Sequence, residues 1–186
     1  MIRAFLSLNL DAGAKSRLKT LQNEVKEIMG PESSRCIKWE NIHNSHITLF
    51  FLGDTEEKTS DSIRAELREK ITGAAGEISL EYSGVSAFPG AKNPRVIIAA
   101  LKSRDNKIYE LNKNTADILD AYGFKQDKKF NPHLTLGRVR RESRVYLPDF
   151  SNIDFDLLLN FKELIFNKSV LSSKGAEHFI LEKFRL

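Results

Sequence analysis

The segment Asn44-Ser45-His46-Ile47-Thr48-Leu49 returns as Asn131-Pro132-His133-Leu134-Thr135-Leu136, with the two histidines 87 residues apart, close to half the chain. Both copies read as β-strands, in which side chains alternate between faces. His46 and Thr48 therefore share one face, and Ile47 and Leu49 take the other. His133 and Thr135 divide from Leu134 and Leu136 in the same way. Each copy puts an imidazole and a hydroxyl about 6–7 Å apart on a polar face and anchors the strand with an apolar pair. The repeat calls for two copies of one structural unit facing each other across a cleft.

The remaining pattern fits such a pair. Residues 2–10 alternate as a strand. Asp11 offers a helix N-cap, and Leu18, Leu21, Val25 and Ile28 fall on one helical face, with Gly30-Pro31 as the stop. Ile37–Glu40 and Ser45–Leu52 read as strands, and Gly53-Asp54 as a turn. A second helix spans Thr55 to Ile71, and a third runs from about Asp105 to Tyr122 before Gly123. Further strands are expected at Ile78–Tyr82, Arg95–Leu101, Leu134–Val139, Leu157–Ser172 with a bend, and His178–Leu186. Several strand pairs are sequential without a crossover helix, so the pattern predicts an α+β fold with largely antiparallel sheet. No linker separates independent domains, and residues 1–186 are expected to form one domain.

Phosphoryl transfer explains why two such strands would be wanted. The attacking and leaving oxygens lie roughly in line across phosphorus, so a base is needed on one side and an acid on the other. Histidine, with an ordinary pKa of ~6.5, serves either role near neutral pH. Thr48 and Thr135 can donate to the non-bridging oxygens. Two histidines without a convergent Asp or Glu motif make a poor ligand set for zinc or magnesium, so neither metal nor cofactor is expected. His43 and His178 lack the following x-Thr and read as surface or packing residues.

The net charge of +4 and pI near 9.1 favour an anionic substrate. Basic residues gather at Lys125, Lys128 and Lys129 and again at Arg138, Arg140, Arg141 and Arg144, bracketing the second histidine motif. The single cysteine, Cys36, cannot form an intramolecular disulfide and reads as a structural thiol. No apolar run approaches the ~20 residues that span a bilayer, and the opening residues lack the pattern of a secretory signal. A soluble cytoplasmic monomer is the expectation.

Paired His-x-Thr motifs are the mark of the 2H phosphoesterase superfamily. The surroundings resemble its RNA 2′,3′-cyclic phosphodiesterases, historically called 2′-5′ RNA ligases, over almost the whole chain. Arg3-Ala4-Phe5-Leu6-Ser7-Leu8 resembles their first strand. Trp39 through Gly53 resembles their first motif block, and Phe88-Pro89 with Pro94-Arg95-Val96-Ile97 their middle block. Phe130-Asn131-Pro132-His133-Leu134-Thr135-Leu136-Gly137-Arg138 resembles the second motif block, and Leu171-Ser172 with Phe179–Leu186 the closing strands. The resemblance implies a bilobal fold, two pseudo-twofold-related antiparallel sheets backed by helices around a central cleft. It implies metal-independent hydrolysis of an RNA 2′,3′-cyclic phosphate to a 2′-phosphate. His46 would protonate the departing 3′-oxygen and His133 would activate water. Arg138 would hold phosphate, and Phe130 would pack under base or ribose. Trp39 would stack a base or sit in the core near the lobe interface. Asn44-Ser45 before the first motif and bulky Phe50 after it depart from the family pattern, and either could change access or RNA preference.

The substrates that fit are RNA 3′ ends or cyclic nucleotides. Three other readings stay open at this level: a 2H esterase for another cyclic nucleotide phosphate, 2′-5′ ligation as the reverse reaction, and a non-catalytic RNA-binding module.

Overall fold

The computed structural model describes residues 1–126, 128–172 and 175–186. In chain order the elements are β1 (Ile2–Asn9), α1 (Ala12–Arg35), β2 (Ile37–Trp39), a 3-10 turn (Ile42–Asn44), β3 (His46–Thr55), α2 (Glu57–Ile71), β4 (Ile78–Phe88), β5 (Val96–Ser103), α3 (Lys107–Asp120), β6 (His133–Val139), β7 (Leu158–Phe161), β8 (Glu163–Ser172) and β9 (Gly175–Arg185). They build two antiparallel sheets, in the orders β3-β1-β8-β9 and β2-β6-β5-β4-β7. The path β1–α1–β3 in one lobe corresponds to β5–α3–β6 in the other. The sheets then match strand for strand, with β2 laid outside β6 as an addition. This is the antiparallel α+β fold that the pattern predicts, in the bilobal form that the family resemblance implies.

Local chemistry sets most boundaries. The Asp11 carboxylate accepts from the Ala14 amide at 2.7 Å and caps α1. Gly30, at φ 71, interrupts that helix, and a short helical piece resumes from Pro31. Leu18, Leu21, Val25 and Met29 face the core, whereas Ile28 is exposed; the apolar stripe ends on Met29, one residue from its expected place. In α2, Ser60, Ile63, Leu67 and Ile71 are buried at helical spacing. Gly53-Asp54 is not a turn. Gly53 takes φ 73 within a continuous β3, where the pairing slips between Ala4↔Gly53 and Phe5↔Phe51. The expected bent strand Leu157–Ser172 is two strands, because β7 pairs with β4 while β8 pairs with β1 and β9. The chain changes sheet at Lys162.

One further irregularity positions the site. In the β1–β3 ladder, Leu6 pairs with Phe50 and Ser7 with Thr48, which leaves Leu49 unpaired. In the β5–β6 ladder, Ile97 pairs with Gly137 and Ile98 with Thr135, which leaves Leu136 unpaired. The same bulge thus sits at the same place in both copies of the repeat. The bulged leucines are buried, and a buried carbonyl needs donors; that of Leu136 accepts the Glu40 backbone amide at 2.9 Å as well as a side chain. Asn112 of α3 donates its amide to the Leu49 carbonyl at 3.0 Å, and Gln22 of α1 donates to the Leu136 carbonyl at 2.9 Å. Each helix serves the strand of the opposite lobe. Both amides are themselves buried, so they tie the lobes together through the two motif strands.

Candidate active site

His46 and His133 line one cavity of about 600 Å³ between the lobes, with Thr48, Thr135, Trp39 and Arg138 also in its wall. Each histidine is held in the same way. The Nδ1 of His46 lies 2.7 Å from the Asn44 carbonyl, and the Nδ1 of His133 lies 2.7 Å from the Asn131 carbonyl. A carbonyl only accepts, so each Nδ1 carries the proton, and Nε2 is the free nitrogen of the neutral ring. The asparagine two residues ahead of each histidine therefore works through its backbone. Asn44 also donates its side-chain amide to the Ala176 carbonyl at 3.0 Å, pinning the first motif to β9. Its departure from the family pattern has a structural use here.

Aromatic rings back both imidazoles. Phe5 lies 4.9 Å from the His46 ring, and Phe88 meets the His133 ring edge-on at 5.0 Å. The Thr48 hydroxyl sits 3.1 Å from His46 Nε2 and donates to it while the ring is neutral. Thr48 thus contacts the reactive nitrogen of His46, rather than standing apart from it as simple strand alternation suggests.

Burial and charge both disfavour protonation of these rings. Burial pushes His46 down to about 4, and the nearby His178, His133 and Arg138 charges push it the same way, against the Asn44 carbonyl that favours the charged form. His133 is lowered by burial and by Arg138, against the pull of Asn131. A phosphate anion bound here would offset Arg138 and restore the affinity of one ring for a proton.

The bulges decide what else reaches the cleft. Strict alternation from His46 and Thr48 would aim Phe50 into it. The extra residue reverses the phase, so Phe50 is 3% exposed in the core while Phe51 is 52% exposed. In the second copy Gly137 is buried and Arg138 faces out. Phe51 and Arg138 are therefore counterparts, each five residues beyond its histidine. Arg3 lies over the Phe51 ring at 4.8 Å. The concern over Phe50 moves to Phe51, which lines both the cleft and the groove beside it.

That groove, about 1100 Å³, shares Thr48 and His133 with the cleft and carries Lys125, Lys128, Lys129 and Phe130. Phe130 packs toward Tyr109, with ring centres 6.1 Å apart, and belongs to this groove rather than to the cleft. The basic cluster seen in the sequence divides in the fold. Arg138 enters the cleft, Arg140 donates to the Arg35 carbonyl at 3.2 Å, and the Arg141 carbonyl accepts from Arg95 at 3.4 Å. Trp39 is half-buried, and its indole N–H points to the Ser34 carbonyl and hydroxyl at 3.2 and 3.1 Å, with Lys26 over its ring at 5.1 Å. That fixes the ring as a wall of the cleft.

His43 is exposed, as a surface residue should be. His178 packs as well, but inside the cleft, 5.3 Å from His46 and 4.9 Å from Phe5. Nothing beside it in the sequence signals that position, because it depends on how β9 folds back along β8. Among the described residues no three His, Cys, Asp or Glu side chains gather as a metal site, and no helix is long and apolar enough to cross a membrane.

Known proteins resemble this chain in sequence and in fold. The family model of the 2′-5′ RNA ligase superfamily matches residues 19–149. The RNA 2′,3′-cyclic phosphodiesterase of Archaeoglobus fulgidus is 33% identical over 142 residues, covering 76% of this chain and 75% of that protein. The protein of the same name from Aquifex aeolicus is 29% identical over 194 residues, covering 100% of this chain and 98% of its own. A solved structure from Thermus thermophilus superposes with a TM-score of 0.81 at 24% identity, covering 99% of this chain and 97% of that one.

Proposed function

Since this chain belongs to the 2′-5′ RNA ligase superfamily, we propose that it hydrolyses RNA 2′,3′-cyclic phosphates to 2′-phosphates, with His46 as acid and His133 as base. The observation that carries this reading is the pair of imidazoles, each with the same Nδ1 contact to a backbone carbonyl, lining one cavity between the lobes with Arg138. With the ring phosphate between the histidines, His133 Nε2 takes a proton from water as its oxygen attacks phosphorus. The bond from phosphorus to O3′ breaks on the opposite side. His46, protonated on Nε2, gives its proton to O3′. The products are a 3′-hydroxyl and a 2′-phosphate, and one proton has passed from His46 to substrate and one from water to His133. Thr48, Thr135 and Arg138 hold the non-bridging oxygens. The test is incubation of a short RNA ending in a 2′,3′-cyclic phosphate, in EDTA, with the position of the product phosphate read by NMR. A 2′-phosphate supports the reading; intact substrate or a 3′-phosphate sinks it.

The pH profile follows from the two lowered histidines. The free enzyme must hold one charged and one neutral ring, and burial makes the charge hard to keep. The kcat/KM profile, which reports the free enzyme, should therefore peak below ~6.5 and fall as the pH rises. Bound phosphate favours the charged ring, so the kcat profile should peak at higher pH. The two limbs belong to the coupled pair rather than to either residue. A flat kcat/KM between about pH 5 and 9 would refute the paired mechanism.

The groove favours RNA over a lone nucleotide as the natural ligand. Lysines with aromatic rings along one channel follow the pattern of single-strand binding, where phosphates meet cations and bases stack. Phe51, at the junction of groove and cleft, supplies a ring for the terminal base. Lys128→Gln with Lys129→Gln should lower kcat/KM about tenfold on a short oligonucleotide ending in a cyclic phosphate, and should leave a cyclic mononucleotide little changed. The oligonucleotide rate should also lose salt dependence. An equal loss on both substrates would reject the groove as an RNA path.

A further inference from the structure

His178 stands where no sequence pattern would place a functional histidine. Its ring sits edge-on to His46 at 5.3 Å and edge-on to Phe5 at 4.9 Å, nearly perpendicular to both. Phe5 packs on His46 in turn at 4.9 Å. The three rings form one cluster on β1, β3 and β9, with the His46 ring against both of the others. The Nδ1 of His178 is buried and has no hydrogen-bond partner among the described residues. A buried polar atom left alone is destabilising, so core packing alone would favour an apolar ring at this position. Resting on the reading of His46 as proton donor, we propose that His178 is a positioning residue: it wedges the His46 ring against Phe5 and keeps the two imidazoles from carrying charge together.

The surroundings support that division of labour. The charged and titratable groups around His178 come from every element packed on the cavity. Lining the cavity with it are His46 on β3, Arg3 on β1, Glu40 beyond β2, and Lys38, His133 and Arg138 from the facing sheet. Burial lowers His178, and Glu40 partly restores it. A charge on His178 works against a proton on His46. Protonation of either ring therefore discourages the other. Phosphate bound beside His46 then directs the single proton to the ring that must donate it.

Two variants separate wedge from charge. His178→Phe keeps an edge-on ring without ionisable nitrogens, and His178→Ala removes both. The NMR titration midpoint of the His46 ring in the free protein should rise in both variants by about 0.5–1 unit, the effect of a unit charge near 5 Å screened almost as in water. On the cyclic phosphate, kcat should fall about tenfold in His178→Ala with KM little changed, and should largely return in His178→Phe. An unmoved midpoint in His178→Phe would overturn the inference, whatever the protein turns over. So would a rise in KM at constant kcat, which would make His178 a substrate contact. Absence of turnover in the unaltered protein would sink the proposed function alone, and the titration would still decide on His178.

Discussion

His133→Ala should lower turnover of an RNA 2′,3′-cyclic phosphate by at least ~100-fold, and His46→Ala by a similar factor, with KM changed far less than kcat. The expectation rests on how each ring is held. In both copies the Nδ1 contact to a backbone carbonyl two residues back orients an imidazole that otherwise only packs on neighbouring rings or meets a hydroxyl, and Asn44 and Asn131 line the cleft and the adjoining groove, where water can replace the lost contact. Both variants should therefore fold, which an unchanged urea midpoint would confirm. Acid and base act in one event, so removing the second histidine after the first should cost much less than another ~100-fold. His43→Ala is the control, since that residue is exposed and carries no part of the chemistry. A loss below about tenfold in either single variant would count against the acid–base pair. A full loss in His43→Ala would mean that the wrong histidine stands at the centre of the mechanism.

What the sequence made legible and what it hid follow different physical rules. The repeat was legible because two copies of the same chemistry need the same residues on the same strand face. The antiparallel α+β architecture was legible because helical and strand periods are written into the apolar positions, as in α2 and β6. The bulges were not, since an extra residue in a ladder has no residue signature; Leu49 and Leu136 are ordinary core leucines. Strict alternation aims Phe50 toward the cleft, whereas the bulge buries it and turns Phe51 outward. Gln22 and Asn112 were hidden for a related reason. A polar side chain on a helix reads as a solvated face, and the buried carbonyls that Gln22 and Asn112 meet across the lobe interface appear only in the fold. His178 has no motif around it and reads as a surface or packing residue; its place depends on the return of β9, which brings a lone histidine against His46.

The comparison of Phe50 with Gly137 carries the last and most direct structural expectation. They are the same position of the repeat, both buried, one the bulkiest kind of residue and the other the smallest. The difference is β2. In the first sheet β3 is an edge strand, so Phe50 turns into the core with no strand beyond it. In the second sheet β2 runs alongside β6, pairing Trp39 with Gly137 and Lys38 with Arg138. A Cβ on Gly137 would stand 2.6 Å from Cγ2 of Ile37 and 3.1 Å from Cε3 of Trp39. Ile37 is itself buried, and that methyl branches directly from its Cβ, so rotation within the packed wall gives little relief. Gly137→Ala should therefore push β2 away from β6, at a cost of about 1–3 kcal/mol, read as a lower urea midpoint. Arg138 and Trp39 move with those strands, so KM for the cyclic phosphate should rise more than kcat falls. Ile37→Ala removes the clashing methyl, and the double variant should lose less stability than the two single losses combined, by about 0.5 kcal/mol or more. Strict additivity would mean that some other feature of the bulge demands glycine, and that β2 does not set the residue on which Arg138 is aimed.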